Sequence, residues 1–420
     1  MKRIPLLAAL IALCALLPAT TFTSRSLLFS DSYMLRARGC DANYWNPALL
    51  SKEVGDIWLS GLNTGIFIGN NSFDLDLYNF VTREEYLEDE DKQRILDAID
   101  ERVASGVGGQ VSLFGFTMGN VALSSSVRVG AKAAFDKKYL ELLLYGNGDG
   151  SQVFEFTRDD NHVEALSYLD LTVGMGDIRI PLPENIPDID FGFAVSALAG
   201  IGNTTTTHFE GLLSSNLDGL TIHQDLTQLA GAGGYGAKGL IGLHCEPVKN
   251  LSVGLTLDNI PGFIRWGLVR EEFNLHFAAD SLYALDLLDE EAEAHYTSSF
   301  EQTKADPFNT VFPMEMRLAA MYKTKQVSLS ADYIQGFGDS PEISRQGRIA
   351  LGAELRPIPV LSFFLGYGSP NDSYSWRTSF GIGLNFKELE FGFGIQSIEH
   401  FYPGYSSKGL AFGTYVNIRT

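Results

Sequence analysis

The stretch "GAGGYGAKGLIGLH", residues 231–244, carries glycines at Gly231, Gly233 and Gly236, the spacing G-x-G-x-x-G. In a dinucleotide-binding loop that spacing lets backbone N–H groups approach a pyrophosphate at a helix N-terminus. Such a loop needs a strand before it, a helix after it and an acidic residue about 20 positions on. Here Ile241 and Leu243 alternate with Gly242 and His244, so a strand follows, and Asp258 falls inside another strand. These glycines are better read as places where a wall bends or another element comes close. "NGDGSQVFEF" from Asn147 resembles a calcium loop but has Gln152 and Arg158 where glycine and glutamate are required. His223, His244 and His276 are isolated, which gives no metal spacing. No G-x-S-x-G elbow or ordered triad is present. No catalytic residue, metal ligand or cofactor is therefore assigned, and the chain is not read as an enzyme. Lys238 and His244 share a parity that suits an inward-facing surface.

The elements that hold these residues explain them better. Lys2 and Arg3 precede an apolar run from Ile4 to Leu17, then Pro18, Ala19, Thr20 and Thr21. This is the layout of a secretory signal peptide over 1–24, cleaved between Ala19 and Ser24. Leu13 before Cys14 does not suit lipoprotein cleavage. The run is shorter than the ~20 apolar residues of a spanning helix, and the longest later one, "GFAVSALAGIG", is shorter still. The formal charge is −20 and becomes about −22 without Lys2 and Arg3, which excludes nucleic acid as a partner. Cys40 and Cys245 would remain, and their pairing is left open. Hydrophobic residues make up 45% of the chain, yet no later segment is strongly apolar, so they are spread by alternation.

That alternation has period two. In "RTSFGIGLNF" (377–386), Thr378, Phe380, Ile382, Leu384 and Phe386 oppose Arg377, Ser379, Gly381, Gly383 and Asn385. Leu389, Phe391, Phe393 and Ile395 oppose Glu390, Gly392, Gly394 and Gln396; Leu410 to Ile418 and Leu251 to Leu257 repeat the pattern. Tight connections ("KTKQ", "RPIP", "KE") alternate with longer polar ones ("FGDSPEISRQ", "GSPNDSYS", "EHFYPGYSS"). Segments of about 9–11 residues with short turns on one side and long loops on the other predict an outer-membrane β-barrel, with roughly 14 to 16 strand candidates. Phe380, Phe391 and Phe412 would then meet lipid. Asp332, Glu354, Arg377 and Glu390 would face the lumen. Residues 82–103 break the pattern with a helical stripe of Ile95, Leu96, Ile99 and Val103. Residues 283–312 read as a long acidic loop.

Before the first strand stands "ARGCDANYWNPALLS" (37–51). Its core, Tyr44-Trp45-Asn46-Pro47-Ala48-Leu49, resembles the N-terminal signature of FadL-like outer-membrane barrels, a group that includes fatty-acid transporters and PorV-like proteins. "GLTLDNIPGFIRWG" from Gly254 resembles a strand of that group ending in an Asn-containing turn. The resemblance implies an all-β fold: a closed antiparallel transmembrane β-barrel of about 14 strands with a short helical insertion. It also implies an N-terminal plug over 25–53, with Trp45, Asn46, Pro47 and Ala48 as its motif, and a barrel over 54–420. Two features depart from the group: the 82–103 insertion, and a chain ending Ile418-Arg419-Thr420 without a terminal aromatic. The resemblance implies passage of hydrophobic small molecules through a plugged lumen. Outer-membrane lipid and a hydrophobic ligand would be the partners. A PorV-like non-conducting scaffold for secreted proteins, working through its long loops, is the alternative. A soluble all-β sandwich, with its apolar faces buried between sheets, is the third.

Overall fold

The computed structural model describes residues 23–419 except 52–54, 60, 84–85, 147–152, 184–186, 217–218, 283–295, 341–342 and 371–375. The expected leader through residue 22 lies outside the described residues. The strands are β1 (Ile57–Trp58), β2 (Thr64–Asn70), β3 (Arg102–Met118), β4 (Val121–Asp136), β5 (Val153–Thr157), β6 (His162–Ile180), β7 (Ile189–Asn216), β8 (Gly219–Val248) and β9 (Leu251–Leu282). They continue as β10 (Tyr296–Lys304), β11 (Phe308–Val311), β12 (Glu315–Lys323), β13 (Val327–Gly336), β14 (Arg348–Ile358), β15 (Leu361–Gly368), β16 (Arg377–Asn385), β17 (Leu389–Ile398) and β18 (Gly409–Ile418).

Fourteen of these form one closed antiparallel ring in chain order: β2, β3, β4, β6 to β9 and β12 to β18. The ring closes where β18 pairs with β2, from Gly409↔Gly69 to Thr414↔Thr64. The short β1 sits below β2 and pairs with both β3 and β18. Closure satisfies the backbone groups that an open edge would leave without partners in a bilayer.

Burial along the strands is inverted relative to a soluble sheet. On β13, Leu329 is 52% exposed and Asp332 2%; on β17, Phe393 is 53% exposed and Glu390 3%. Apolar side chains point out and charged ones point in, which is stable only where the outside is lipid. Phe391 and Phe412 lie exposed on this outer face. Phe380 is half-buried, with its ring stacked on Tyr402 at 5.5 Å. Aromatic residues gather at both margins of the apolar band. Tyr367, Trp376 and Phe401 stand at the loop end, and Tyr322 and Phe386 at the tight-turn end. Such belts mark the two membrane–water interfaces. The chain is an outer-membrane-type β-barrel, and the sandwich reading is overturned.

Three sequence expectations are corrected. The stretch 82–103 is not one helix. Leu75–Arg83 and Asp89–Asp97 are two helices, and Arg102 and Val103 already belong to β3. Glu88 and Asp91 form a capping box that starts the second helix. Ile95, Leu96, Ile99 and Val103 close a small core with Phe73, Leu77, Val81 and Leu140 at the loop end of β3 and β4. Second, the loop expected over 283–312 is partly sheet. Residues 283–295 lie outside the described residues, but β10 and β11 pair with the upper half of β9. The reason is length: β7, β8 and β9 run 28, 30 and 32 residues, far beyond a bilayer crossing, and their backbone groups need ladder partners there too. Third, β9 does not end at Asn259. That residue takes φ +61, which asparagine tolerates, and the strand continues through Pro261 to Leu282. The ladder on the β11–β12 side is interrupted between Asp258 and Phe263, where Pro261 has no N–H to give.

Candidate functional site: the filled lumen

Residues 23–51 are not strand. They fold into short turns: 3-10 helices at Ser26–Phe29, Gly39–Asp41 and Pro47–Leu49, and a helical turn at Ala42–Trp45. Almost every residue from Thr23 to Leu50 is buried, although the segment belongs to no sheet. It is enclosed by the ring. Its first helical turn packs on β14 to β18 and its last on β6, β7 and β8.

The Asn-Pro-Ala motif shows how the docking works. Pro47 forces Asn46 out of the helical region, to φ −157 and ψ 99. The Asn46 side chain then accepts from the Ala48 N–H at 3.1 Å and donates to the Leu243 carbonyl at 3.1 Å. The wall opposite is glycine because nothing larger fits. A Cβ at Gly192 would lie 2.3 Å from the Ala48 nitrogen, and one at Gly176 would lie 1.9 Å from the Pro47 carbonyl oxygen. Trp45 is 1% exposed. Its Nε1 donates to Thr23 Oγ1 at 3.2 Å, and the Arg317 guanidinium lies 4.5 Å from its ring centre.

Charge locks the rest of the segment to the wall. Asp31 accepts from Arg348 and Arg377, each at 2.9 Å. Asp332 accepts from Ser32 Oγ at 2.6 Å and from the Met34 N–H at 3.1 Å. Arg36 lies 3.5 Å from Glu354 and donates to Ser328 and Ser330. Arg25 pairs with Glu390. The Tyr44 hydroxyl donates to Asp170 at 2.6 Å, and Asp170 also accepts from Ser126 and Arg128. Asp332, Glu354, Arg377 and Glu390 are thus all buried inside the ring, each against a residue of this segment. Lys238 also points inward and is 6% exposed, while His244 Nδ1 is 3.2 Å from Asp190. Sequence reading missed Asp31, Arg36, Asp170 and Arg317, and named Tyr44 only as part of the motif, without its Asp170 partner. A signal existed for Asp170, which shares a parity with Tyr168, Thr172 and Gly174 opposite Leu169, Leu171 and Val173.

Cys40 and Cys245 are both free thiols, Cys40 fully buried. Burial, and the neighbouring Asp56 and Asp41 charges, push the Cys40 thiol well above its ordinary range. Asp56 is itself held up at about 7 by burial, with the Arg25 charge pulling the other way. Its carboxylate accepts the Cys40 N–H at 3.2 Å.

One layer nearer the loop end, the inner wall turns apolar. Leu166, Tyr168, Leu198, Ile264, Trp266 and Phe312 form one buried cluster, with half-buried Phe308 at its edge. The opening glycines find their use here. Cβ atoms at Gly231 and Gly234 would each come within 2.9 Å of the Trp266 indole, and one at Gly236 would lie 1.9 Å from the Phe263 carbonyl oxygen. Only Gly233 of the motif has a left-handed φ, +67, at a bulge between Ala232 and Gly234. Trp266 Nε1 donates to Thr310 Oγ1 at 2.8 Å, which satisfies the one polar atom of the ring. Among the described residues no group of His, Cys, Asp and Glu could hold a metal.

No family model matches the chain, and no curated protein matches it. Among solved structures it is similar to the P. putida toluene transporter TodX, at 10% identity over 91% of this chain and 92% of that chain, TM-score 0.45. It is similar to a Pseudomonas aeruginosa FadL homologue at 10% identity over 96% and 99%, TM-score 0.48. The CymD monoaromatic hydrocarbon channel matches at 11% identity over 91% and 92%, TM-score 0.41. The barrel is established by its own ring and outward apolar band.

Proposed function

We propose that the barrel passes hydrophobic small molecules across the outer membrane, with residues 25–53 as a plug that shifts to let them by. The observation that carries this reading is the inward apolar cluster around Trp266, directly above Tyr44 and Asp170. Its side chains are packed against one another, so an apolar solute would enter by parting them, gaining roughly 25 cal/mol per Å² of surface it removes from water. Below it, the polar segment interrupts any continuous path, so passage requires that the segment give way.

The test is equilibrium binding of the fluorescent apolar probe N-phenylnaphthylamine to detergent-purified protein. Saturable binding that Trp266→Ala weakens at least fivefold is expected. Absence of saturable binding, together with co-purification of secreted proteins, would overturn the reading in favour of the PorV-like scaffold.

A further inference from the structure

The tight-turn end of the lumen opens on a small cavity of about 50 Å³, lined by the N-terminal segment on one side and by β12 to β15, β17, β18 and Arg419 on the other. In barrels of this kind that end faces the periplasm. Six of its lining residues are cationic: Arg25, Arg36, Arg38, Lys323, Arg356 and Arg419. Only two lining residues, Glu354 and Glu390, are acidic. This is a local inversion in a chain whose formal charge is −20.

The two carboxylates are already shared. Glu354 takes Arg36 at 3.5 Å and Arg356 at 2.7 Å. Glu390 takes Arg25 and Arg419, and Asp41, just behind, lies 3.8 Å from Arg25. That leaves Arg38 and Lys323. Neither side chain has an ion pair or a hydrogen bond among the described residues. They face one cavity from opposite sides, Arg38 on the segment and Lys323 at the last position of β12. Like charges crowded into one mouth repel, and the arrangement is relieved by a negative group between them. Arg38 is exposed at the mouth and Lys323 is half-buried, so an anion could reach both from solvent.

We propose that this mouth is an anion-binding site, in which Arg38 and Lys323 hold one oxygen-bearing anionic group, a carboxylate or a phosphate. Arg38 offers a planar fork of donors and Lys323 a point charge, a combination suited to an oxyanion. The cavity has room for such a group and a water or two. A bound anion would bridge segment and wall. The proposal stands apart from the cargo reading, since it concerns the other end of the lumen.

The experiment is calorimetric titration of the full-length protein in a nonionic detergent at constant ionic strength. Inorganic phosphate is one arm, and decanoate against decanol is the other. Saturable binding of phosphate or decanoate is expected. Arg38→Gln and Lys323→Gln should each weaken it at least tenfold, while Lys249→Gln, an exposed charge on a turn at the same end, leaves it unchanged. Phosphate binding alone identifies a free anion; decanoate binding without phosphate identifies an amphiphile's head group. Because both substitutions remove an unpaired charge, each variant should keep or raise the unfolding temperature, which separates lost binding from lost folding. Three results overturn the site: no saturable binding of either anion, equal weakening by Lys249→Gln, or decanoate binding untouched by both substitutions with no phosphate binding. The last would assign decanoate to the apolar layer at Trp266.

Discussion

Replacing Asp31 by alanine tests whether charge holds the N-terminal segment in place. Asp31 is 2% exposed and lies 2.9 Å from both Arg348 and Arg377, which are 6% and 1% exposed. The substitution removes the carboxylate that two buried guanidinium groups share. Breaking a buried ion pair from one side costs about 3–5 kcal/mol, chiefly because the remaining charge stays desolvated. At about 1.4 kcal/mol per factor of ten, the released form of the segment should gain roughly two to three and a half powers of ten in population. Cys40 reports it, being fully buried and slow to ionise while the segment is docked. In a Cys245→Ser background, alkylation of Cys40 should track the open population as long as closing outpaces labelling. Asp31→Ala should accelerate that alkylation at least a hundredfold. Adding Arg377→Met should recover part of the loss, because one stranded charge goes with it. The ring should keep its heat-modifiable migration throughout. A rate within threefold of the parent would refute the reasoning. So would faster labelling of a cysteine placed at Ser30 with none at Cys40, since the segment would then not move as a unit.

Other perturbations act on different contacts. Gly192→Ala would drive a methyl into the Ala48 nitrogen at 2.3 Å, and backbone cannot rotate aside. A loss of about 1–3 kcal/mol in urea unfolding from micelles is expected, and an unchanged midpoint would mean the Pro47 turn does not dock there. Asp56 gives a pH dependence. Its folded value of about 7 lies above the ~3.9 of an unfolded aspartate, so the native state binds the extra proton. Its contribution to stability is full below pH ~4 and is lost as pH rises through about 7. Asp56→Asn should flatten the stability profile between those limits, measured by urea midpoint at half-unit pH steps; a profile identical to the parent's would count against it.

Much of the barrel was legible because β12 to β18 are short and mostly unbulged, so one parity runs from end to end. Asp332, Glu354, Arg377 and Glu390 could be read inward for that reason. The long strands resisted. β7 shifts register between Thr206 and His208, and β8 at Ala232/Gly234 and again at Lys238/Leu240, and each bulge resets which parity faces in. Asn259 and Pro261 look like a chain reversal because asparagine tolerates a left-handed backbone and proline lacks a donor; the same properties suit a bend within β9. Nothing local in "SDSYMLRARG" says that Asp31 meets Arg348 and Arg377. Those contacts span 317 and 346 positions and exist only once the ring has closed. Trp266 was hidden likewise, since its seat is made of glycines on two neighbouring strands.

The enclosed segment touches β14 to β18 with its first turn and β6 to β8 with its last, on opposite arcs of the circle. A ribbon anchored that way works as a mandrel works for a rolled tube: it prescribes how tightly the sheet curls. Lengthening or shortening the chain between Phe29 and Pro47 should therefore change the cross-section of the cylinder itself, rounder or more oval, even though no strand has been altered.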